Sequence, residues 1–379
     1  MGWGRLSLLR LVLWAVPTYS SWGWSMRLRL KYKNLIFMAA FLAIVFSAAA
    51  AVAQRYTQTN IVSDIPNLAI TTDPNLKNAW GIAFGAGTPI WIADNGTGLS
   101  TLYTGTGSII PLVVTIPPAP GNDTGAPTGL VINQSGDFRV TKEGKTGAAI
   151  FIFDTDQGTI AGWSPGVDLT NAVTVVDNSE AGAIYTGLAI AATPKGRFLY
   201  AANFHTGMVE IYNSHFKWLD SFTDTSLPPG YAPFGVHNIN GQIFVAFAKQ
   251  DEDKEEEVAG EGLGFVSVFD TEGNFIRRFA SRGPLNAPWG ITMAPPTFKK
   301  FANTILVGNF GDGRISAFDP VSGKFLGRLR NSKGEVLSID GLWAITPGGG
   351  LGTTSDDLLF TAGPDDEEHG LFGKLNPTP

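Results

Sequence analysis

The sequence contains no cysteine among its 379 residues. That excludes a disulfide scaffold, a thiolate metal site and a cysteine nucleophile together. Histidine is scarce as well: His205, His215, His237 and His369 are the whole set, and no pair has a metal-ligand spacing such as H-x-x-x-H. No G-x-x-x-x-G-K-[ST] phosphate loop is present. Positive charge is thin after the N-terminus. Six of the 27 basic residues and none of the 33 acidic ones lie in residues 1–53, so the other 326 residues carry −12 with histidine neutral. The basic footprint that nucleic acid or an anionic membrane surface requires is therefore missing.

What is present begins with a leader. From Met26 the chain reads MRLRLKYKNLIFMAAFLAIVFSAAAAVAQ, with four basic residues, an uncharged run from Leu35, and Ala51-Val52-Ala53 before Gln54. This is the n-region, h-region and small-residue cleavage site of a secretory signal peptide. The expectation is an export leader over residues 1–53, cleaved after Ala53, and a secreted or periplasmic protein. The alternative is a retained N-terminal anchor, since residues 35–53 are uncharged over about the length a bilayer needs; contact with a membrane is expected only in that case. Residues 1–25 fit neither part of a leader, and no second long hydrophobic run follows. An exported chain without disulfides must draw its stability from core size and from closure of its fold. With 44% apolar residues, 46 glycines and 23 prolines, the rest reads as β-rich, globular and densely punctuated by turns.

A repeat organises residues 54–379. A short apolar strand with an early glycine recurs as Trp80-Gly81-Ile82, Thr128-Gly129-Leu130, Thr186-Gly187-Leu188, Phe234-Gly235-Val236, Trp289-Gly290-Ile291 and Asp340-Gly341-Leu342. Six units of about 54 residues account for the whole of it. Each continues with a second β-rich run (IWIAD from Ile90, FRVT from Phe138, FLYAAN from Phe198, IFVAFA from Ile243, TILVGN from Thr304, LLFTAG from Leu358) and a third (among them AAIFIFD from Ala148 and GFVSVFD from Gly264). Fourth runs are visible in every unit but the last. Four short strands per unit, with Gly, Asp and Asn turns, predict an all-β, six-bladed β-propeller. The last blade is then closed by the N-terminal strand over 56–62, which removes the free end of the ring. The early glycine lets innermost strands approach closely around the axis.

The unit Pro288-Trp289-Gly290-Ile291, with ILVGN from Ile305 and GRISAFD from Gly313, resembles an NHL-type repeat. The stretches EEEVAGEGLGFVSVFD from Glu255, DGLWAI from Asp340 and FTAGPDDEEHGLFG from Phe360 are similar to a family of secreted bacterial six-bladed propellers of unassigned activity. Some of its members carry a C-terminal sorting tail. This chain ends KLNPTP, so such sorting is not expected here. The resemblance implies fold and export, and no reaction.

Loops leaving each second strand, and loops entering each first strand, share one face of a propeller. They place Trp80, Asp94, Asn95, Thr186, Asn203, His205, Phe234, Trp289, Asn309 and Asp340 there, where polar groups and flat apolar walls could converge on a central ligand site. For each one an ordinary role competes: Asp and Asn after a strand close turns through backbone bonds, and Trp80 with Ile82 and Phe84 alternates as inter-blade packing. Two acidic loops, 251–257 and the cluster Asp365, Asp366, Glu368 and His369, could take a divalent cation such as Ca²⁺, though a solvated charge run reads equally well. For a shared site the long acidic loop would have to reach past blade 5. The main reading is a monomeric binding module holding a small molecule, glycan or protein, with no nucleic acid. The alternative is a metal-assisted lyase or lactonase at the central channel, on fold-level analogy with gluconolactonase and virginiamycin B lyase.

Overall fold

The computed structural model describes residues 54–378; the expected leader and its cleavage site after Ala53 lie outside the described residues. Six antiparallel sheets follow one another along the chain, and in each the innermost strand comes first. Blade 1 is Ala79–Ala83, Ile90–Asp94, Leu99–Tyr103 and Val114–Thr115. Blade 2 is Pro127–Ile132, Phe151–Thr155, Thr159–Trp163 and Val173–Asp177. Blade 3 is Tyr185–Thr193, Gly196–Asn203, Met208–Asn213 and Trp218–Phe222, and blade 4 is Tyr231–Ile239, Gln242–Lys249, Gly264–Phe269 and Phe275–Ser281. Blade 5 is Pro288–Met293, Ile305–Asn309, Ile315–Phe318 and Phe325–Arg328. Blade 6 takes Leu342–Pro347, Leu358–Ala362 and Leu371–Pro377 from the C-terminus, and Tyr56–Ser63 from the N-terminus as its fourth strand. The predicted six-bladed propeller with an N-terminal closing strand is the observed fold. One strand was unforeseen: Thr71–Thr72 adds parallel to the closing strand as a fifth member of blade 6.

Local chemistry accounts for the turns. In blade 4, Ile239 pairs with Gln242, leaving Asn240-Gly241 as a two-residue loop with φ of 54° and 80°. Both positions need left-handed backbone, which Asn and Gly adopt readily, and that twist suits an antiparallel hairpin.

Blade 2 departs from the sequence reading. FRVT is not its second strand: Arg139–Lys142 pairs with Lys145–Ala148 in a separate hairpin, and the second strand is Phe151–Thr155. Phe138 and Val140 are buried nonetheless, in a cluster with Tyr212 and Phe216 of blade 3. The alternation correctly signals a strand with one covered face, but alternation does not say which sheet does the covering.

The innermost strands approach as closely as the glycines suggest. A Cβ on Gly81 would stand 2.5 Å from the Thr128 carbonyl oxygen, on Gly129 2.3 Å from the Leu188 nitrogen, on Gly235 2.2 Å from the Trp289 carbonyl oxygen and on Gly290 2.6 Å from the Trp343 carbonyl oxygen. The sixth member is different. Ile345 pairs with Phe360 as Ile291 pairs with Val307 and Ile82 with Ile92, so Trp343-Ala344-Ile345 is the equivalent unit. Gly341 is a turn residue at φ 61° just before the strand, and alanine occupies the tight position. There the Thr361 hydroxyl accepts from the Ala344 N–H and donates to the Trp80 carbonyl, bridging blades 6 and 1.

Candidate functional site

The residues just before the tight position are Trp80, Thr128, Thr186, Phe234, Trp289 and Trp343. Four of these six are aromatic, and they fill the axis. Trp343 is fully buried. It stacks on Trp80 at 3.5 Å between centroids and on Phe310 at 4.1 Å, and meets Trp289 edge-on at 5.9 Å. Phe234 and Phe204 complete the cluster. Phe204 follows Asn203 and Phe310 follows Asn309, so the loops expected to bring polar groups to the axis bring rings instead. Trp289 Nε1 donates to the Thr186 carbonyl across the ring at 2.7 Å. The channel is thus sealed at the face on which a central ligand site was expected, and Trp80, Phe234 and Trp289 form part of the seal.

Asp94, Asn203 and Asn309 occupy equivalent ends of second strands, all nearly or fully buried, each with its own neighbours. Asn203 donates to Glu210 at 2.8 Å, and its Oδ1 accepts from the backbone of Ile184 and Thr206. Asn309 donates to the Pro284 carbonyl and to Asp312. Neither carboxylate oxygen of Asp94 makes a hydrogen bond of good geometry, although Thr101 lies beside it; burial, against the relief that Thr101 gives and with Asp73 nearby, drives its pKa well above the usual carboxylate range. Asn95 accepts from Asn78 and donates to Asp156 at 2.9 Å. Asp340 is exposed and accepts the Asp365 N–H. None of Asp94, Asn203, Asn309 and Asp340 lines either of the two cavities described below.

Asp365, Asp366 and Glu367 form three successive left-handed residues with φ of 60°, 50° and 66°. His369 Nδ1 lies 2.8 Å from Asp64 Oδ2, and Asp64 Oδ1 accepts the Gly370 N–H, which ties the segment after the closing strand to blade 6. Asp365, Asp366 and Glu368 point to solvent. Among the described residues no three His, Asp or Glu side chains are placed to hold one metal ion, so this cluster does not fit Ca²⁺ as a formed site.

The long acidic loop of blade 4 does reach past blade 5. Asp251 Oδ1 accepts the N–H groups of Glu255 and Glu256, folding the loop back, and Gln250 anchors its base by donating to the Phe204 carbonyl at 2.7 Å. Glu256 feels the charges of Asp156 in blade 2 and Glu367 in blade 6. Burial, with Glu256, Glu367 and Asp251 around it, pushes Glu257 up to about 8, and burial pushes Asp156 up to about 6. No basic side chain pairs with any of these four carboxylates among the described residues. A carboxyl whose pKa is raised on folding contributes stability below its unfolded value near 4.5, and that contribution is lost as pH climbs through the folded value. Stability should therefore fall from about pH 4.5 to about pH 8 and level off above, by at most about 1.4 kcal/mol per pH unit for one group, with the melting temperature following it. Glu257→Gln should flatten that decline; an unchanged slope in the variant would rule out Glu257 as its source.

Among the described residues, two cavities lie on or beside the axis of the ring. One, of about 460 Å³, lies over blades 2 and 3 on the sealed face; Asn122, Gln157, Ser179, Glu180, His205 and Glu255 supply its polar lining. Gln157 is committed to the Ala119 N–H and the Thr124 carbonyl, whereas His205 Nδ1 is covered yet has no partner. The other, of about 390 Å³, is the axial channel below the seal, lined by the innermost strands from their tight position onward. Sequence reasoning found His205, and Glu255 within the acidic loop 251–257, but missed Asn122 and Glu180, which no pattern distinguishes from ordinary loop residues. It also missed Trp343, whose signal was the W-x-I spacing shared with Trp80 and Trp289.

Comparison with known proteins gives fold neighbours and sequence relatives. The chain superposes on a streptogramin B lyase structure with a TM-score of 0.52 at 13% identity, covering 87% of this chain and all of that one. It also superposes on the soluble aldose sugar dehydrogenase of Escherichia coli in its apo form, with a TM-score of 0.51 at 13% identity, 85% of this chain and all of that one. At such identities the likeness concerns the propeller fold alone. No family model matches the sequence. Two proteins of Acanthamoeba polyphaga mimivirus, both named only as uncharacterized, align over 324 residues, or 83% of this chain: R648 at 34% identity over 78% of its own length, and L690 at 31% over 84%. On that identity and coverage the chain belongs to one family with these two viral proteins, a family of six-bladed β-propellers.

Proposed function

We propose that this propeller is an exported binding module rather than an enzyme, with its ligand in the polar cavity over blades 2 and 3. The observation that carries the reading is that cavity: about 460 Å³, within the size range of small-ligand sites, with several side chains free to hydrogen-bond. His205 lines the cavity, and its Nε2 makes no hydrogen bond within the protein and is not among the covered atoms, so a ligand can pair with it. Glu180 and Glu255 flank it, and the net charge of −12 over residues 54–379 disfavours anions. A neutral or cationic hydroxyl-rich ligand suits the lining, such as the end of a glycan bearing an amine. Glu255 arrives from the acidic loop of blade 4, which gives that loop a role in gripping the ligand.

The test is calorimetric titration of the purified protein with neutral sugars, amino sugars and uronic acids. Amino or neutral sugars should bind, and His205→Ala and Glu180→Gln should each weaken binding about ten-fold, the size of one hydrogen bond to a charged or orphaned group, at unchanged melting temperature. Saturable turnover of an ester or lactone by the same preparation would overturn the reading. Export is tested on the same material, since the secreted form should begin at Gln54 by mass spectrometry. A chain that stays cell-associated with residues 1–53 attached would establish the anchor instead.

A further inference from the structure

We propose that the axial channel, entered from the face opposite the aromatic seal, is a second binding site, for a small uncharged molecule that donates one hydrogen bond to Nδ1 of His237. It lies on the other face from the polar cavity and does not rest on that assignment.

The walls are set by the sixfold register. One residue beyond the tight position, the ring reads Ile82, Leu130, Leu188, Val236, Ile291 and Ile345, all apolar. The next reads Ala83, Val131, Ala189, His237, Thr292 and Thr346. A histidine interrupts a set of small residues at one blade. No Asp, Glu, Lys or Arg lines the cavity, so a charged ligand would leave water without a counter-charge. About 390 Å³ admits a bicyclic aromatic molecule, and the blind end is capped by Trp289.

The chemistry of His237 fixes what it can offer. Its Nε2 lies 2.8 Å from the Trp289 carbonyl oxygen. A carbonyl only accepts, so Nε2 carries the proton and Nδ1 presents a lone pair. Nδ1 makes no hydrogen bond within the protein and is not among the sealed orphan atoms, so it is reachable from the channel. Burial pushes the ring's pKa down to about 4, which keeps it neutral at ordinary pH. The ring also meets the Trp289 indole edge-on at 5.6 Å, and this with the carbonyl bond holds its orientation. A fixed acceptor in an uncharged channel selects for a donor of matching shape, because an isostere without one leaves that acceptor unpaired.

The probe is 2-naphthol, compared with 2-methoxynaphthalene, which lacks the donor, and 2-naphthoate, which is charged. The full chain should bind one 2-naphthol with a dissociation constant below about 1 mM, and 2-naphthoate at least about ten-fold more weakly. His237→Phe should weaken 2-naphthol about five- to ten-fold while leaving 2-methoxynaphthalene unchanged. Thr346→Trp, which fills the channel at the level of His237, should abolish binding of both and keep the wild-type circular dichroism spectrum. Three results would overturn the proposal: no binding of 2-naphthol by the wild-type chain, binding indifferent to Thr346→Trp, or equal loss of both probes in His237→Phe.

Discussion

Gly235→Ala should cost this fold about 3 kcal/mol or more, while Gly187→Ala should cost under about 1 kcal/mol. Neither glycine has a positive φ, so the difference is steric and owes nothing to backbone conformational freedom. A methyl at position 235 would stand 2.2 Å from the carbonyl oxygen of Trp289 and 3.0 Å from its carbon, both backbone atoms. That carbonyl cannot yield alone, because it also accepts from His237 while the Trp289 ring sits in the axial seal. At position 187 the nearest atoms stand 3.3 Å away, a gap that a few tenths of an ångström of adjustment relieves. There the methyl also restricts the unfolded chain, worth about 0.4–1 kcal/mol in favour of folding. The check is the denaturant midpoint of each variant at unchanged slope. Equal midpoints would mean that the blades can slide apart freely and that the glycines are not what sets their spacing.

Ala344 shows why the sequence disclosed the ring but misplaced one member of it. The glycine was the visible signal, yet the physical requirement is a small residue between an aromatic and a branched apolar side chain. Alanine satisfies it where the Thr361 hydroxyl spans the junction. Counting on Trp and Ile would have placed Trp343 beside Trp80 and Trp289; counting on Gly selected Asp340, three positions early and exposed. The four-strand pattern, the six units and the closing strand were legible because each depends on local alternation and turn residues. The seal was not. That rings from four innermost strands and two loops meet at one point follows from closure of the whole ring, and the same side chains in an open array would read as inter-blade packing. The acidic loop is a similar case: its charges suggested a solvated run, and only the folding back at Asp251 turns Glu256 and Glu257 toward Asp156 and Glu367. A crowd of carboxyls with raised pKa values leaves no mark on composition.

Deleting residues 54–72 from the chain should remove more stability than any single substitution. The closing strand pairs with Leu371–Pro377 from Tyr56 opposite Pro377 to Ser63 opposite Leu371, with a bulge at Ile61. Tyr56, Ile61 and Val62 are fully buried. At roughly 2 kcal/mol for each such side chain, their loss alone approaches about 6 kcal/mol, comparable with the whole stability of many domains. Tyr56 also joins blades: its ring lies 4.6 Å from that of Phe298 in blade 5, its hydroxyl donates to the Phe298 carbonyl at 3.1 Å, and its N–H to the Arg330 carbonyl. The deletion would further leave Leu371–Pro377 as an unpaired edge carrying Leu371, Phe372 and Leu375, a template for aggregation. The deleted chain is therefore expected to be insoluble, or to melt below physiological temperature. A synthetic peptide of residues 54–72 added during refolding should restore soluble protein, and a scrambled peptide should not. Tyr56→Ala, which keeps the strand, should lower stability by about 3–5 kcal/mol. A soluble deletion variant melting at the wild-type temperature would show that the ring holds without its clasp. The stability of this cysteine-free chain would then have to come from the inter-blade contacts alone.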